Sequence, residues 1–398
     1  MATTTSDIRT ASRFEVLRGV YAAGSTTRQA LAAAGPLSFA TVSNVVAELL
    51  DAGVLVETEY EASAGGRPRA RLGVNAGRGR LAGVAVSETH VRVEVFDLAL
   101  RPVSSDIRPL RLAEVSADEL VAAVTAGIRA ADGHGPGVLG AGVSLPGYVW
   151  SRSGAVPLFD GIGAAGGGAL GGRLARELGL AVVADNPLKA ATLAELWFGA
   201  GVGASTLVTV TLGTGAGAGV ALRGTLLRGA TDSAGEWGHT TLVLDGEQCR
   251  CGARGCVEAY VGASAILRRW GRPAADELTG MAELAAAVRA EDPAALAAVE
   301  QVGRYLGAGL ANLVNIFNPD IVVLGGWVVD QLGEWLLPAA RATAKARALA
   351  WPFAATTIQR SPISVHRTCL GMAAFALENF LRDAGVPSSR STPIPVRH

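Results

Sequence analysis

Residues 236–258 read EWGHTTLVLDGEQCRCGARGCVE. One histidine, His239, precedes three cysteines, Cys249, Cys251 and Cys256. One imidazole and three thiolates complete a tetrahedral zinc site of the structural kind. Gly252 and Gly255 let the chain fold tightly between the last two thiolates. The only other cysteine is Cys369, so three of the four fall within eight positions. That clustering reads as a metal loop. Disulfides fit it poorly, because a CxC pair bridges only with strain. Glu236 and Glu258 flank the ligands, so the loop carries two carboxylates near each other.

Working outward, 398 residues suggest two or three domains. A hydrophobic content of 49% suffices for a large core. No apolar run reaches the roughly twenty residues a membrane helix needs. The start, MATTTSD, lacks the pattern of an export signal. These features point to a cytoplasmic protein with reduced thiols and no membrane partner. Formal net charge is zero. Whole-chain charge therefore indicates no polyanion partner, although an average hides local basic surfaces.

Residues 8–22 carry Ile8, Ala11, Phe14, Leu17, Val20 and Tyr21 near helical spacing. A second helix is expected over 27–34, capped by Ser25 or Thr26 and stopped at Gly35 and Pro36. Ser38 caps a third, Phe39 to Ala52, with Val42, Val45, Val46, Leu49 and Leu50 inward. Residues 54–59 and 71–74 read as strands around a tip at 61–69. Helix, helix, turn, helix, hairpin is the order of a winged helix-turn-helix. The third helix presents Ser38, Thr41, Ser43 and Asn44 near its start, short polar groups that suit base edges and phosphates. Arg67, Arg69 and Arg71 share one edge of the wing. Eight arginines against seven carboxylates leave residues 1–78 at about +1, modest for DNA binding. One such module reads few base pairs, so a homodimer or homotetramer on an operator with two half-sites is expected.

Beyond residue 80, hairpin strands are expected at 81–86 and 91–97, with helices at 116–131 and 170–179 and strands at 138–143 and 181–184. Further strands are expected at 206–211, 217–222 and 320–324. Helices are expected at 258–270, 279–289, 293–316, 331–348 and 369–383. The tail, 386–398, is rich in Pro, Ser and Arg and reads as disordered. No internal repeat is evident.

The His239 and cysteine pattern, together with LGTGAGAG at 212–219, GVSLPG at 142–147 and NPDIVVLGG at 318–326, resembles the ROK family of repressors, open reading frames and sugar kinases. The resemblance spans roughly residues 80–385. It implies an α/β chain, a winged helix-turn-helix followed by a two-lobed, actin-like, sugar-kinase-like fold. The implied domains are 1–78 for DNA, 79–195 (completed by 366–385) for lobe 1, and 196–365 for lobe 2 with the zinc loop. The tip Gly65, Gly66, Arg67 and Pro68 resembles the wing of ROK repressors. There the glycines give close backbone approach and the arginine enters a narrow minor groove.

ROK kinases use a DxGGT-type first phosphate loop, an aspartate base and a second glycine loop. Here the first loop aligns with residues 83–89, with Ala85 for the acidic residue and Ser87 and Glu88 for the glycines. Side chains there obstruct backbone approach to phosphate. Glu88 adds a like charge, costing on the order of 4 kcal/mol at about 4 Å and an effective dielectric near 20. The family's NDxN segment aligns with 186–189, where Pro187 stands in place of the base. Proline cannot take a proton. Lys189 reads either as an anion ligand or as the partner of a neighbour. No catalytic residue is assigned.

By the same resemblance, Asn186, Glu236, His239 and Glu258 contact the hydroxyls of a sugar effector. Alternatively, Glu236 and Glu258 only support the zinc loop. The family's asparagine and tryptophan are missing from 159–168, where Asp160 precedes a glycine run. The effector is therefore a sugar, a phosphosugar or another small molecule, or there is none. The expected function is transcriptional regulation, most simply repression. The alternatives are an effector-independent regulator and an active sugar kinase.

Overall fold

The computed structural model describes residues 5–61, 69–133, 137–146, 167–272 and 274–382. The wing tip with Gly66 and Arg67, most of the segment around Asp160, and the tail 386–398 lie outside them. The chain forms two compact units, residues 1–198 with 364–398, and residues 199–363. Among the described residues no helix is long and apolar enough to cross a membrane.

The first unit opens with α1 (Thr5–Ala23), α2 (Arg28–Ala34) and α3 (Phe39–Asp51). The antiparallel pair β1 (Leu55–Glu61) and β2 (Arg69–Val74) follows. Val42, Val45, Val46 and Leu49 line the buried face of α3, one face of a 3.6-residue period. Leu50, expected inside, is only half-buried. Leu17, Val20, Leu31, Val54, Leu55 and Leu72 complete this small core. Arg13 of α1 donates twice to Glu48 of α3. The cap of α2 is Thr27, not Ser25 or Thr26, and its hydroxyl accepts from the Ala30 N–H at 3.2 Å. Thr26 is engaged elsewhere, exchanging both backbone hydrogen bonds with Leu72.

A five-stranded sheet follows, ordered β5-β4-β3-β6-β7. Its strands are β3 (Arg80–Val86), β4 (His90–Asp97), β5 (Pro102–Pro109), β6 (Val138–Ser144) and β7 (Val182–Asp185). The first three are antiparallel, and β6 and β7 run parallel to β3. Helix α4 (Ala117–Asp132), with a capping box at Ser116 and Glu119, packs Leu120, Val124 and Ile128 against Val84, Val93 and Val143. Helix α5 (Gly167–Leu178) precedes β7, and α6 (Pro187–Phe198) follows it.

The last described helix, α13 (Arg367–Arg382), returns to this sheet. Gly83 of β3 faces the Cys369 carbonyl and Gly142 of β6 faces that of Met372, each so closely that a β-carbon would overlap it. Gly371 of α13 meets the Ala190 carbonyl of α6 in the same way.

The second unit holds the sheet β10-β9-β8-β11-β12. Its strands are β8 (Thr206–Leu212), β9 (Ala216–Leu222), β10 (Thr225–Leu226), β11 (Ile321–Gly325) and β12 (Thr357–Arg360). Taken in chain order within each unit, the two sheets share one order and one pattern of strand directions, a repeat not evident in the sequence. Its helices are α7 (Glu258–Val261), α8 (Ala263–Trp270), α9 (Glu277–Arg289), α10 (Pro293–Phe317), α11 (Trp327–Arg347) and α12 (Ala350–Ala355). The single helix expected over 258–270 breaks at Gly262, whose backbone is extended where it passes the Thr214 carbonyl. Gly303 and Gly307 bring α10 against the α11 backbone.

Replacing Gly142 with valine is expected to lower stability by about 3 kcal/mol, the upper end for overpacking, since a backbone carbonyl cannot yield as a side chain does. The thermal midpoint measures this, and an unchanged midpoint would contradict the seating of α13.

Candidate functional site

The metal-loop residues come together in the second unit. A 3-10 turn, Trp237–His239, lies against β9, with Gly235 and Gly238 closely apposed to the carbonyls of Ala218 and Ala216. The buried Trp237 indole donates to the Gly309 carbonyl of α10 at 3.0 Å. His239 is thereby anchored to strand and helix together. The cysteine loop is closed by Cys249 N–H to Ala253 O (2.9 Å) and Gly255 N–H to Glu247 O (2.8 Å). Gly252 and Gly255 both have positive φ, and a β-carbon at Gly255 would overlap the Val243 carbonyl.

The ligand atoms of His239, Cys249, Cys251 and Cys256 all lie within 4.8 Å of one another. His239 Nδ1 is 3.7 Å from Cys249 Sγ, and Cys251 Sγ is 3.7 Å from Cys256 Sγ. A tetrahedral ion bound at about 2.3 Å to sulfur and about 2.0 Å to nitrogen spaces its ligands by roughly 3.6–3.8 Å. The cluster therefore fits a metal ion, and all the cysteines are free of disulfides. Burial, then the neighbouring sulfurs, pushes the Cys256 thiol up to about 12. Burial likewise raises Cys249. Burial opposes ionisation of Cys251 as well, but the Ala253 N–H and the other two sulfurs hold it below the ordinary thiol value. Three crowded sulfurs in this setting favour the thiolate form once a cation sits between them.

Glu258, at the start of α7, is buried, and both its oxygens have partners within the chain. One accepts the Ala216 N–H at 2.9 Å, the other the Arg250 Nε–H at 2.9 Å. Arg250 lies between the ligands Cys249 and Cys251, and its guanidinium reaches the Gly215 turn of the glycine loop. Sequence reading overlooked Arg250, although its place inside the CxC pair was the available signal. Glu236 precedes the 3-10 turn and its carbonyl accepts the His239 N–H at 3.0 Å. Thus His239 and Glu258 stand at the metal loop, and Glu236 joins them through its backbone.

Asn186 lies in the first unit, where it begins α6. Its side chain accepts the Leu188 N–H at 2.7 Å. Pro187 takes the first helical position, where its missing N–H and fixed φ suit the helix. Lys189 Nζ lies 3.9 Å from Asp185 Oδ1 with both side chains almost fully buried, in keeping with its reading as the partner of a neighbour. Asp185 Oδ1 also accepts the Asn186 N–H at 2.7 Å. At the β3–β4 tip, Ser87 Oγ accepts from the N–H groups of Thr89 (3.3 Å) and His90 (3.0 Å). Ser87 N–H donates to the His90 carbonyl at 2.9 Å. The N–H groups of Ser87, Thr89 and His90 are thus directed inward.

Helix α6 ends in an aromatic cluster that sequence reading also missed. Tyr21 of α1 lies 5.8 Å from Trp197 and 5.9 Å, edge-on, from Phe198 between ring centroids. The Tyr21 hydroxyl donates to the Leu98 carbonyl. The Trp-Phe pair at 197–198, just before the unit boundary, was the signal.

On α3, the Ser38 hydroxyl caps the helix by accepting the Thr41 N–H at 3.1 Å, and it lies 2.9 Å from the Thr41 hydroxyl. Asn44 is exposed and Ser43 half-buried. Arg69 is exposed at the start of β2. Arg71, grouped with Arg67 and Arg69 on sequence grounds, instead donates to Ser25 Oγ (3.0 Å) and the Ser25 carbonyl (2.7 Å). It ties the hairpin to the turn between α1 and α2.

Residues 81–379, three quarters of the chain, match the profile of the ROK family. The chain belongs to the ROK family. It is 28% identical over 361 residues to a putative xylose repressor of Caldicellulosiruptor sp. (strain Rt8B.4), covering 87% of this chain and 90% of that protein. The crystal structure of a ROK family transcriptional regulator, a homolog of the E. coli MLC protein, aligns with a TM-score of 0.76 and 25% identity. That alignment covers 93% of this chain and 97% of the other. A ROK family glucokinase from Streptomyces griseus, solved with glucose and AMPPNP, aligns with a TM-score of 0.66 and 29% identity. It covers 75% of this chain and 99% of its own.

Purified protein is expected to carry a bound metal ion stoichiometric with the chain, and Cys251→Ser to lose it and melt at lower temperature. Elemental analysis of both proteins checks this. Equal metal content would remove Cys251 from the ligand set.

Proposed function

We propose that this ROK protein is a DNA-binding transcriptional repressor whose kinase-like body binds a small effector and performs no chemistry. The observation that carries the reading is the extent of the likeness. The family profile starts at residue 81, yet the repressor and regulator alignments cover 87% and 93% of the chain. They therefore take in part of the three helices and hairpin before it.

In this reading residues 1–78 are a winged helix-turn-helix, 79–195 with 366–385 are lobe 1, and 196–365 are lobe 2. Helix α3 enters the major groove with Ser43 and Asn44, while Ser38 and Thr41 shape its start. Gly66, Arg67 and Arg69 supply the wing. The protein works in the cytoplasm as a homodimer or homotetramer on a duplex with two half-sites. The metal is zinc, held by His239, Cys249, Cys251 and Cys256, and its role is to fix the loop that carries Glu236 and Glu258. Asn186, Glu236, His239 and Glu258 are the effector contacts, and a sugar or phosphosugar is the effector class. An effector changes DNA binding only by preferring one arrangement of the protein over another.

Loss of kinase chemistry follows from Ala85, Ser87, Glu88 and Pro187. The inward-bonded turn at Ser87 supports this, because amides bound to their own chain are poor phosphate ligands. The engagement of both Glu258 oxygens favours a second reading, a regulator that responds to no effector.

Selection from a random duplex library by the purified full chain is expected to enrich an inverted repeat. Failure to enrich any sequence would refute the repressor reading. A thermal-shift screen against sugars and phosphosugars is expected to raise the midpoint for one class, as binding to the folded state stabilises it. No shift across the panel would favour the effector-independent reading.

A further inference from the structure

We infer that Phe39 reads the 5-methyl group of a thymine in the major groove of the operator. The inference rests on the repressor reading and names one of its base contacts.

Phe39 is the first residue of α3 and is 52% exposed. Among the described residues before position 100, no other large apolar side chain reaches the surface to that degree. Among the described residues of the N-terminal helices and hairpin it thus stands singly, without a second large apolar side chain of like exposure. Its neighbours set its reach. The hydroxyls of Ser38 and Thr41 are turned to each other and to the helix start. Ala40 and Ala47, exposed on the same helix, are too short to hold a groove wall away. Helix α3 contains no arginine or lysine, and its Glu48 is paired with Arg13. The long side chains that extend outward from its first two turns are one aromatic ring, Phe39, and one amide, Asn44, beside the short, half-buried Ser43.

A phenyl ring has no hydrogen-bonding group, so it reads none of the donor and acceptor patterns of the base edges. The thymine methyl is the one apolar group those edges present in the major groove. The first residue of a reading helix also stands where base contacts concentrate.

The test uses the full chain and a duplex selected from a random library. Each thymine of one half-site is replaced in turn by deoxyuridine, which removes the methyl alone. Affinity is measured at fixed salt for wild type, Phe39→Ala and Phe39→Leu. Wild type is expected to lose about fourfold at one thymine, the equivalent of burying one methyl group. Phe39→Ala is expected to bind the thymine duplex about fourfold more weakly and to be indifferent to deoxyuridine. Phe39→Leu retains the sensitivity. Equal deoxyuridine losses in wild type and Phe39→Ala, or no loss at any position, would overturn the inference while leaving the repressor reading intact. A chain that selects no duplex sinks both.

Discussion

The carbonyl oxygens of Cys369 and Met372 stand where β-carbons would lie at Gly83 and Gly142. Much of the first unit depends on that contact. It lets the last described helix, α13, lie directly on β3 and β6, and the Gly371 contact places α6 against α13 in turn. Helix α6 then carries the two features that matter at its ends. Asn186 begins it, and Trp197 and Phe198 finish it against Tyr21 of α1. Helix α13 thus secures the platform on which α1 rests. Backbone-to-backbone seating is unforgiving, because close-packed interiors have little room to relax.

The second unit uses the same device for a different end. Gly235, Gly238 and Gly255 permit backbone crossings that draw one histidine and three cysteines together. The crowded sulfurs then call for a cation. The loop also carries Arg250, which closes on Glu258. A metal bound here would fasten the loop, and Glu258 beside it is already held by the Ala216 N–H and Arg250.

Much of this was legible in the sequence, for physical reasons. The metal loop was plain because cysteine is rare in the chain and thiolates cluster only where something requires it. Helix α3 was plain because Val42, Val45, Val46 and Leu49 keep a strict period and Ser38 supplies a cap. Strand β5 was not, since an exposed edge strand bounded by Pro102 and Pro109 has no apolar face to announce it. The break at Gly262 follows from a tertiary contact with Thr214, which local propensity does not encode. The Ser25 partner of Arg71 was not legible, because alternation places a side chain on a face but does not name its partner. The shared strand order of the two units lies in topology, not in residue identity. For the candidate site, residue types were readable, while the partners of Glu258, Lys189 and Ser87 emerged only from the fold.

The family shares one body between kinases and regulators, and this chain resembles both. In this chain the β3–β4 turn has its Thr89 and His90 amides bound by Ser87, and α6 starts with Pro187. The proposed regulator requires a body that performs no phosphoryl transfer. The most direct measurement is ADP release by the purified, metal-loaded chain with ATP over a panel of sugars. The account predicts no release above the sugar-free rate with any of them. Sustained release with one sugar, proportional to protein concentration, would contradict it.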